Sequence, residues 1–222
     1  MGIIVQDLVI NPERFFRQAL GEKEQLRVPG LIILVGAVAA AISGYFAGNL
    51  SASMMEPVLQ GMGSLIVAVT VVAAFFGTFV AWVVWAGVFY LISKIFAGTG
   101  SFYRCLEVVG YGFVPQVIGM LVTVIAALVY LPKVVVPRLT SAAMGDPQMI
   151  KETTTALMHD PAMVAFTEIA AVVSIVFLLW SATIWIFGLK QARSLSLKHA
   201  AVCVSVPVIL FVIFQIYNLA GV

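Results

Sequence analysis

Four polar side chains stand within apolar runs of this 222-residue chain: Tyr111, Gln116, Glu168 and Gln215. Glu168 is the one carboxylate plainly inside such a run. A charged group within a membrane span is costly, so Glu168 marks a site of protonation or cation contact unless water reaches it. It lies in the outer third of its run, where snorkelling to the interface is the competing reading. Pro115 and Pro207 interrupt similar runs. Each removes a backbone donor and crowds the preceding turn, which bends a helix and frees a carbonyl for a polar site. Gly110 and Gly112 permit close backbone approach beside Tyr111. The candidate polar or packing site is therefore Gly110, Tyr111, Gly112, Pro115, Gln116, Glu168, Pro207 and Gln215. These residues either line a pathway for a small solute or ion, or bond across helices and fix the packing.

Other chemistry finds no spacing to support it. The chain has no GxSxG, HExxH, P-loop or GxGxxG pattern. Cys105 and Cys203 lie in or beside different apolar runs, without a CxxC spacing or a partner histidine, and read as small buried hydrophobes. Seven of the nine methionines fall in or beside the two outer segments (Met54, Met55, Met62, Met144, Met149, Met158, Met163), but without the MxxM or MxM spacing of a copper site. Enzymatic activity, a cofactor, a metal and a nucleic-acid partner are not expected. Glu107 is expected to pair with Arg104 three residues earlier on a helix.

The elements that must carry these residues follow from composition. Apolar residues make up 62% of the chain and charged ones 10%, with a mean hydropathy of +1.10. No soluble core hides that much apolar surface, so the lipid bilayer is the solvent. A span needs about 20 mostly apolar residues. Five stretches qualify, at about 28–48, 64–96, 108–131, 162–189 and 199–220. The second would make a helix of about 50 Å, which must tilt, kink or project. The polar first 27 residues are not expected to be a cleavable signal.

Orientation comes from the basic residues near span ends. Arg14, Arg17, Lys23, Arg27, Lys94, Arg104, Lys190, Arg193 and Lys198 fall on one side, and Lys133, Arg138 and Lys151 on the other. The first side is expected to be cytoplasmic, with the N-terminus inside and the C-terminus outside. His159 and His199 then lie on opposite faces and cannot share a site. The fold class is an all-α membrane protein: one domain over 1–222, a bundle of five transmembrane helices.

Two shorter helices complete the expectation. In the cytoplasmic amphipathic segment 1–27, Asn11 suits an N-cap and Pro12 the first helical position. Phe15, Phe16, Ala19 and Leu20 then fall on one side of a helix lying on the membrane surface. Asn11, Pro12, Phe15, Phe16 and Arg17 are the candidate membrane-surface or partner contacts. In the outer loop 132–161, Asp146-Pro147 starts an amphipathic helix of about 147–158, and Asp160-Pro161 starts the fourth span. Gly44-x-x-x-Gly48 closes span one, and Gly77 and Gly87 notch span two for helix contact.

Three motifs point to a family. NPERFF at 11–16, GTGSFYRC at 98–105 and VVGYGFVPQVIG at 108–119 resemble the Yip1-domain membrane proteins, most closely the prokaryotic and particularly the archaeal branch. The resemblance covers nearly the whole chain and implies five spans with a short cytoplasmic N-terminal segment. Eukaryotic members associate with one another and with Rab GTPases and support vesicle traffic. Their long acidic, aromatic N-terminal region and Asp-Leu-Tyr-Gly-Pro motif are missing, so Rab binding is not carried over. The resemblance implies a membrane-organising or scaffolding role, acting through a membrane-protein partner or a second copy, in the plasma membrane of a prokaryote. The alternative is a transporter or channel with a polar site between bent spans three, four and five; the absence of an inverted repeat counts against it.

Overall fold

Polar residues cap the helices, and apolar length sets which of them are long. The computed structural model describes residues 5–140 and 146–219. Met144 and the tail beyond position 219 lie outside these. The described elements are helical: α1 (Val5–Ile10), α2 (Pro12–Ala19), α3 (Arg27–Met55), α4 (Gly63–Ile95), α5 (Phe102–Gly112), α6 (Val114–Tyr130), a 3-10 turn at Leu131–Lys133, α7 (Pro147–Met158), α8 (Pro161–Ala192) and α9 (Leu197–Leu219). Among the described residues, five helical stretches are long and apolar enough to cross a membrane, as the hydropathy requires, with α5 and α6 forming one stretch from Phe102 to Lys133.

The first and third spans depart most from expectation, and the third starts at Phe102 instead of about 108. The first span runs to Met55, past the expected end at 48, because Leu50, Ala52, Met54 and Met55 continue the helix and Asn49 Nδ2 returns a hydrogen bond to the Tyr45 carbonyl at 2.7 Å. The third span is broken at Phe113, two residues before Pro115, where the bend was expected. The break puts Pro115 in the first turn of α6. There an N–H has no intrahelical partner, so its loss costs little. The Phe113 N–H donates to Val109 and Gly110 carbonyls at 3.1 and 3.2 Å, and the Val117 N–H returns to Phe113 at 2.9 Å. The irregularity is thus confined to one residue. By contrast, α9 runs through Pro207 unbroken.

The chain forms two compact units. One comprises Met1–Gly36, Thr78–Gly119 and Ser174–Val222; the other comprises Ala37–Gly77 and Met120–Val173. In the second unit, α3 and α4 meet at the GxxxG pair. A Cβ on Gly44 would lie 2.9 Å from Ala74 Cβ, and one on Gly48 would lie 2.9 Å from Val67 Cα. The Leu139 N–H donates to the Met54 carbonyl at 2.9 Å. Asp146 caps α7 through the Gln148 N–H at 2.8 Å. Asp160 caps α8 through the Ala162 and Met163 N–H groups at 2.9 and 3.1 Å. Its second oxygen accepts from the Val135 N–H at 3.1 Å. These short-range caps are what the Asp-Pro pairs predict.

Among the described residues, no helix packs against Gly77 or Gly87. A Cβ at either would meet nothing within 4 Å. A glycine without a neighbour against it makes no close helix contact, whatever its position in an apolar run.

The core of the first unit is aromatic. Trp185 is fully buried, with ring centres of Phe89, Trp85 and Phe113 at 5.3, 5.4 and 5.8 Å. Indole N–H groups need a partner when buried. Trp185 Nε1 donates to the Val109 carbonyl at 3.0 Å, and Trp82 Nε1 to the Leu106 carbonyl at 2.8 Å. Both acceptors belong to α5, so this helix is pinned by one indole from α4 and one from α8.

Candidate functional site

The residues of the first unit that attract attention in sequence gather around α5. In α2, Asn11 Oδ1 accepts from the Arg14 N–H at 3.1 Å, and Pro12 opens the helix. That start directs Phe15 and Phe16 inward. Both are buried, and their ring centres lie 5.0 and 6.2 Å from that of Tyr111. Phe16 also fills the space over Gly188, where a Cβ would lie 2.9 Å from its ring and 2.4 Å from Val108 Cγ1. Glu13 binds Lys190 at 2.6 Å and so ties α2 to α8. Hydrogen bonding and charge from Lys190 hold the Glu13 carboxyl below its ordinary pKa.

The membrane-surface expectation is corrected for Phe15 and Phe16. They are interior residues, because α2 folds its apolar face onto α5 and α8 instead of lipid. Asn11 and Arg17 are exposed and Pro12 is half-buried.

The glycines of GYG are packing positions. A Cβ on Gly110 would lie 2.5 Å from Pro29 Cβ and 3.1 Å from Trp82 Nε1; one on Gly112 would lie 2.1 Å from the Trp185 indole. Tyr111, between them, points to the two phenylalanines. Pro115 is buried and Gln116 half-buried.

The GTGSFYRC segment is built around a residue that sequence reading took only as an orienting charge. Arg193 is 1% exposed. Its Nε donates to Ser93 Oγ at 2.9 Å, Nη2 to the Gly98 carbonyl at 2.6 Å, and Nη1 to the Gly100 carbonyl. The guanidinium lies 4.5 Å from the Tyr90 ring centre. In return, the Thr99 N–H donates to the Arg193 carbonyl at 3.0 Å. Only glycine fits at position 100, where φ is +96° and a Cβ would lie 2.5 Å from the Ala192 carbonyl oxygen. The one sequence signal was the pairing of a Gly-x-Gly turn with an arginine at a span end.

Beyond the turn, Ser101 caps α5 through the Arg104 N–H at 3.1 Å and donates to Glu24. Arg104 binds Glu107 at 2.9 Å, as its i, i+3 spacing predicts, and also donates to the Glu22 carbonyl. Glu107 is 2% exposed, so the pair is an interior one.

The remaining predicted residues do not join this cluster. Gln215 Nε2 donates to Ser174 Oγ at 3.0 Å, while its Oε1 is buried without a partner. Pro207 is half-buried in α9, and Glu168 is exposed in the second unit. The clefts described in the second unit are lined by other residues. Among the described residues, no three of His, Cys, Asp and Glu gather to hold a metal ion.

Comparison with known proteins agrees with the motifs. A family model described as Yip1 domain matches residues 7–218. The chain is 34% identical over 118 residues to an uncharacterised protein of Methanocaldococcus jannaschii, covering 53% of this chain and 84% of that one. The likeness to an archaeal protein accords with the branch expected from the motifs. No solved structure matches.

Proposed function

The chain belongs to the Yip1-domain family of multi-pass membrane proteins, and on that premise we propose that it acts without catalysis, organising the membrane or scaffolding partner proteins. The observation that carries this reading is the use of all three motif segments in the packed interior of the first unit. Phe15 and Phe16, the Gly98–Gly100 turn and the Gly110–Gly112 step each fill interior space or bond to neighbouring backbone. A pathway would leave such residues facing water. Tyr111 is occupied by aromatic packing, and the Gln215 amide N–H by Ser174.

In this reading the N-terminus is cytoplasmic, the C-terminus is outside, and the protein resides in the plasma membrane of a prokaryote. The partner is a membrane protein or a second copy. A Rab GTPase is not proposed. A role in membranes is inferred by analogy of family, and the surfaces it uses are those left exposed around the cluster.

Reconstitution tests this directly. The full chain, labelled in two colours, is placed in liposomes, and energy transfer between copies is measured alongside release of entrapped small ions and dyes. Self-association above random proximity, with no protein-dependent release, supports the scaffold. A saturable flux that disappears in Glu168→Gln refutes it and establishes the transport alternative.

A further inference from the structure

The second unit holds an open cleft of about 570 Å³ with a mixed polar and apolar lining, a volume within the usual range for small-ligand sites. It lies between the end of α3, the start of α4 and the segment carrying Arg138. Glu56 and Arg138 both line it, with Asn49, Ser53, Ser64 and Tyr45. Val67 and Ala68 add an apolar part to the wall.

The two charges are the informative feature. Each is exposed, and among the described residues neither has an ion-pair or hydrogen-bond partner. Every other close acid–base contact in the described residues involves Glu13 or Arg104. Opposite charges that share one cleft without meeting each other leave two recognition elements free. A lone anion would be repelled by Glu56, and a lone cation by Arg138. A ligand carrying both an ammonium and a phosphate or carboxylate satisfies both groups with charge-assisted hydrogen bonds. Asn49 Nδ2 is engaged by the Tyr45 carbonyl at 2.7 Å, which leaves its side-chain oxygen to accept from such an ammonium. Ser53 and Ser64 add hydroxyls that donate or accept.

We infer that this cleft binds a small zwitterion with an ammonium against Glu56 and a phosphate or carboxylate against Arg138, either as a free molecule or as a zwitterionic lipid headgroup. The site is lined by residues of the second unit alone and does not depend on the scaffolding role.

Two arms distinguish the sources. In the first, the full chain in detergent is titrated by calorimetry with phosphoethanolamine, ethanolamine and inorganic phosphate. In the second, the chain in nanodiscs of equimolar phosphatidylethanolamine and phosphatidylglycerol is released into the gas phase, and retained lipid is identified by native mass spectrometry. A free ligand gives binding of phosphoethanolamine at least about tenfold tighter than either half, weakened about tenfold or more by Glu56→Gln or by Arg138→Gln. A headgroup gives no binding in the first arm but preferential retention of phosphatidylethanolamine, lost in the double variant. Both side chains are exposed and, among the described residues, free of intramolecular pairs, so the variants should melt as the parent does. Absence of binding in both arms, or binding indifferent to both substitutions, overturns the inference.

Discussion

Substituting alanine for Gly112 adds one methyl group where the packed cluster has no room. A Cβ there would lie 2.1 Å from both Cδ1 and Nε1 of Trp185. Carbon atoms in ordinary contact lie about 3.5–4.0 Å apart, so the indole or α5 must move by more than about 1 Å. The indole is hemmed in by the rings of Phe89, Trp85 and Phe113 and held by its bond to the Val109 carbonyl. Overpacking of this kind costs about 1–3 kcal/mol. Pulling Nε1 away orphans a buried N–H for about 1–3 kcal/mol more, although the Val109 carbonyl keeps the Phe113 N–H. Alanine's better helix propensity offsets about 1 kcal/mol. The net loss centres on about 3 kcal/mol, which lowers the melting temperature of a chain this size by roughly 6–12 °C. Thermal unfolding of the detergent-purified chain, followed by tryptophan fluorescence, measures the shift. Gly87→Ala is the control, since a Cβ there meets nothing within 4 Å; it should be neutral or gain up to about 1 kcal/mol. A Gly112→Ala variant as stable as the parent, or a Gly87→Ala variant as damaged as Gly112→Ala, would refute the packing argument.

The other predictions use the same assays. Phe16→Ala should cost about 3–5 kcal/mol through the cavity left over Gly188, and hydrogen exchange across α2 should quicken more than elsewhere. Replacing Arg193 by methionine leaves the Gly98 and Gly100 carbonyls without their donors, so stability should fall by at least about 2 kcal/mol. Exchange should rise at residues 96–101, and unchanged exchange there would count against the clamp. For Asp160, hydrogen bonds from the Val135, Met163 and Ala162 N–H groups hold the carboxyl below its ordinary pKa of 3.8. A depressed acid stabilises the fold above that ordinary value and loses its effect as pH falls through the lower, folded one. Protection at the start of α8, corrected for intrinsic exchange, should therefore hold from neutral pH and fall only below about pH 4. Asp160→Asn should abolish the pH dependence; a protected start of α8 that ignores pH in the parent would remove the cap from the account. Glu168→Gln should leave the stability within about 0.5 kcal/mol of the parent, because the side chain is exposed.

Much of the fold was legible because its causes are local. Apolar length alone marks five spans, since a bilayer demands a continuous run whatever the neighbours do. Asn11, Asp146 and Asp160 cap helices with groups two or three residues away. Arg104 and Glu107 meet because three residues on a helix share a face. The site was less legible. Phe15 and Phe16 carried the pattern of a surface helix, and nothing in that pattern distinguishes lipid from the chain's own apolar interior. Four glycines of apolar runs looked alike, yet Gly110 and Gly112 are filled by Pro29 and Trp185 while Gly77 and Gly87 face nothing. Arg193 read as one basic residue among nine, although its partners lie 93 to 100 residues away.

The sequence by itself thus determined the class of solvent, the number and approximate ends of the spans, the capped starts of α2, α7 and α8, and the family motifs. Each depends on composition or on neighbours within one helical turn. Tertiary structure alone decided where those motifs lead. Trp185 reaches Val109 across 76 residues of chain, and Lys190 reaches Glu13 across 177. Such contacts leave no periodicity in the sequence, because an apolar residue against lipid and one against another helix satisfy the same hydrophobic requirement. The GYG step is a close-packed seat for an indole because of what folds against it.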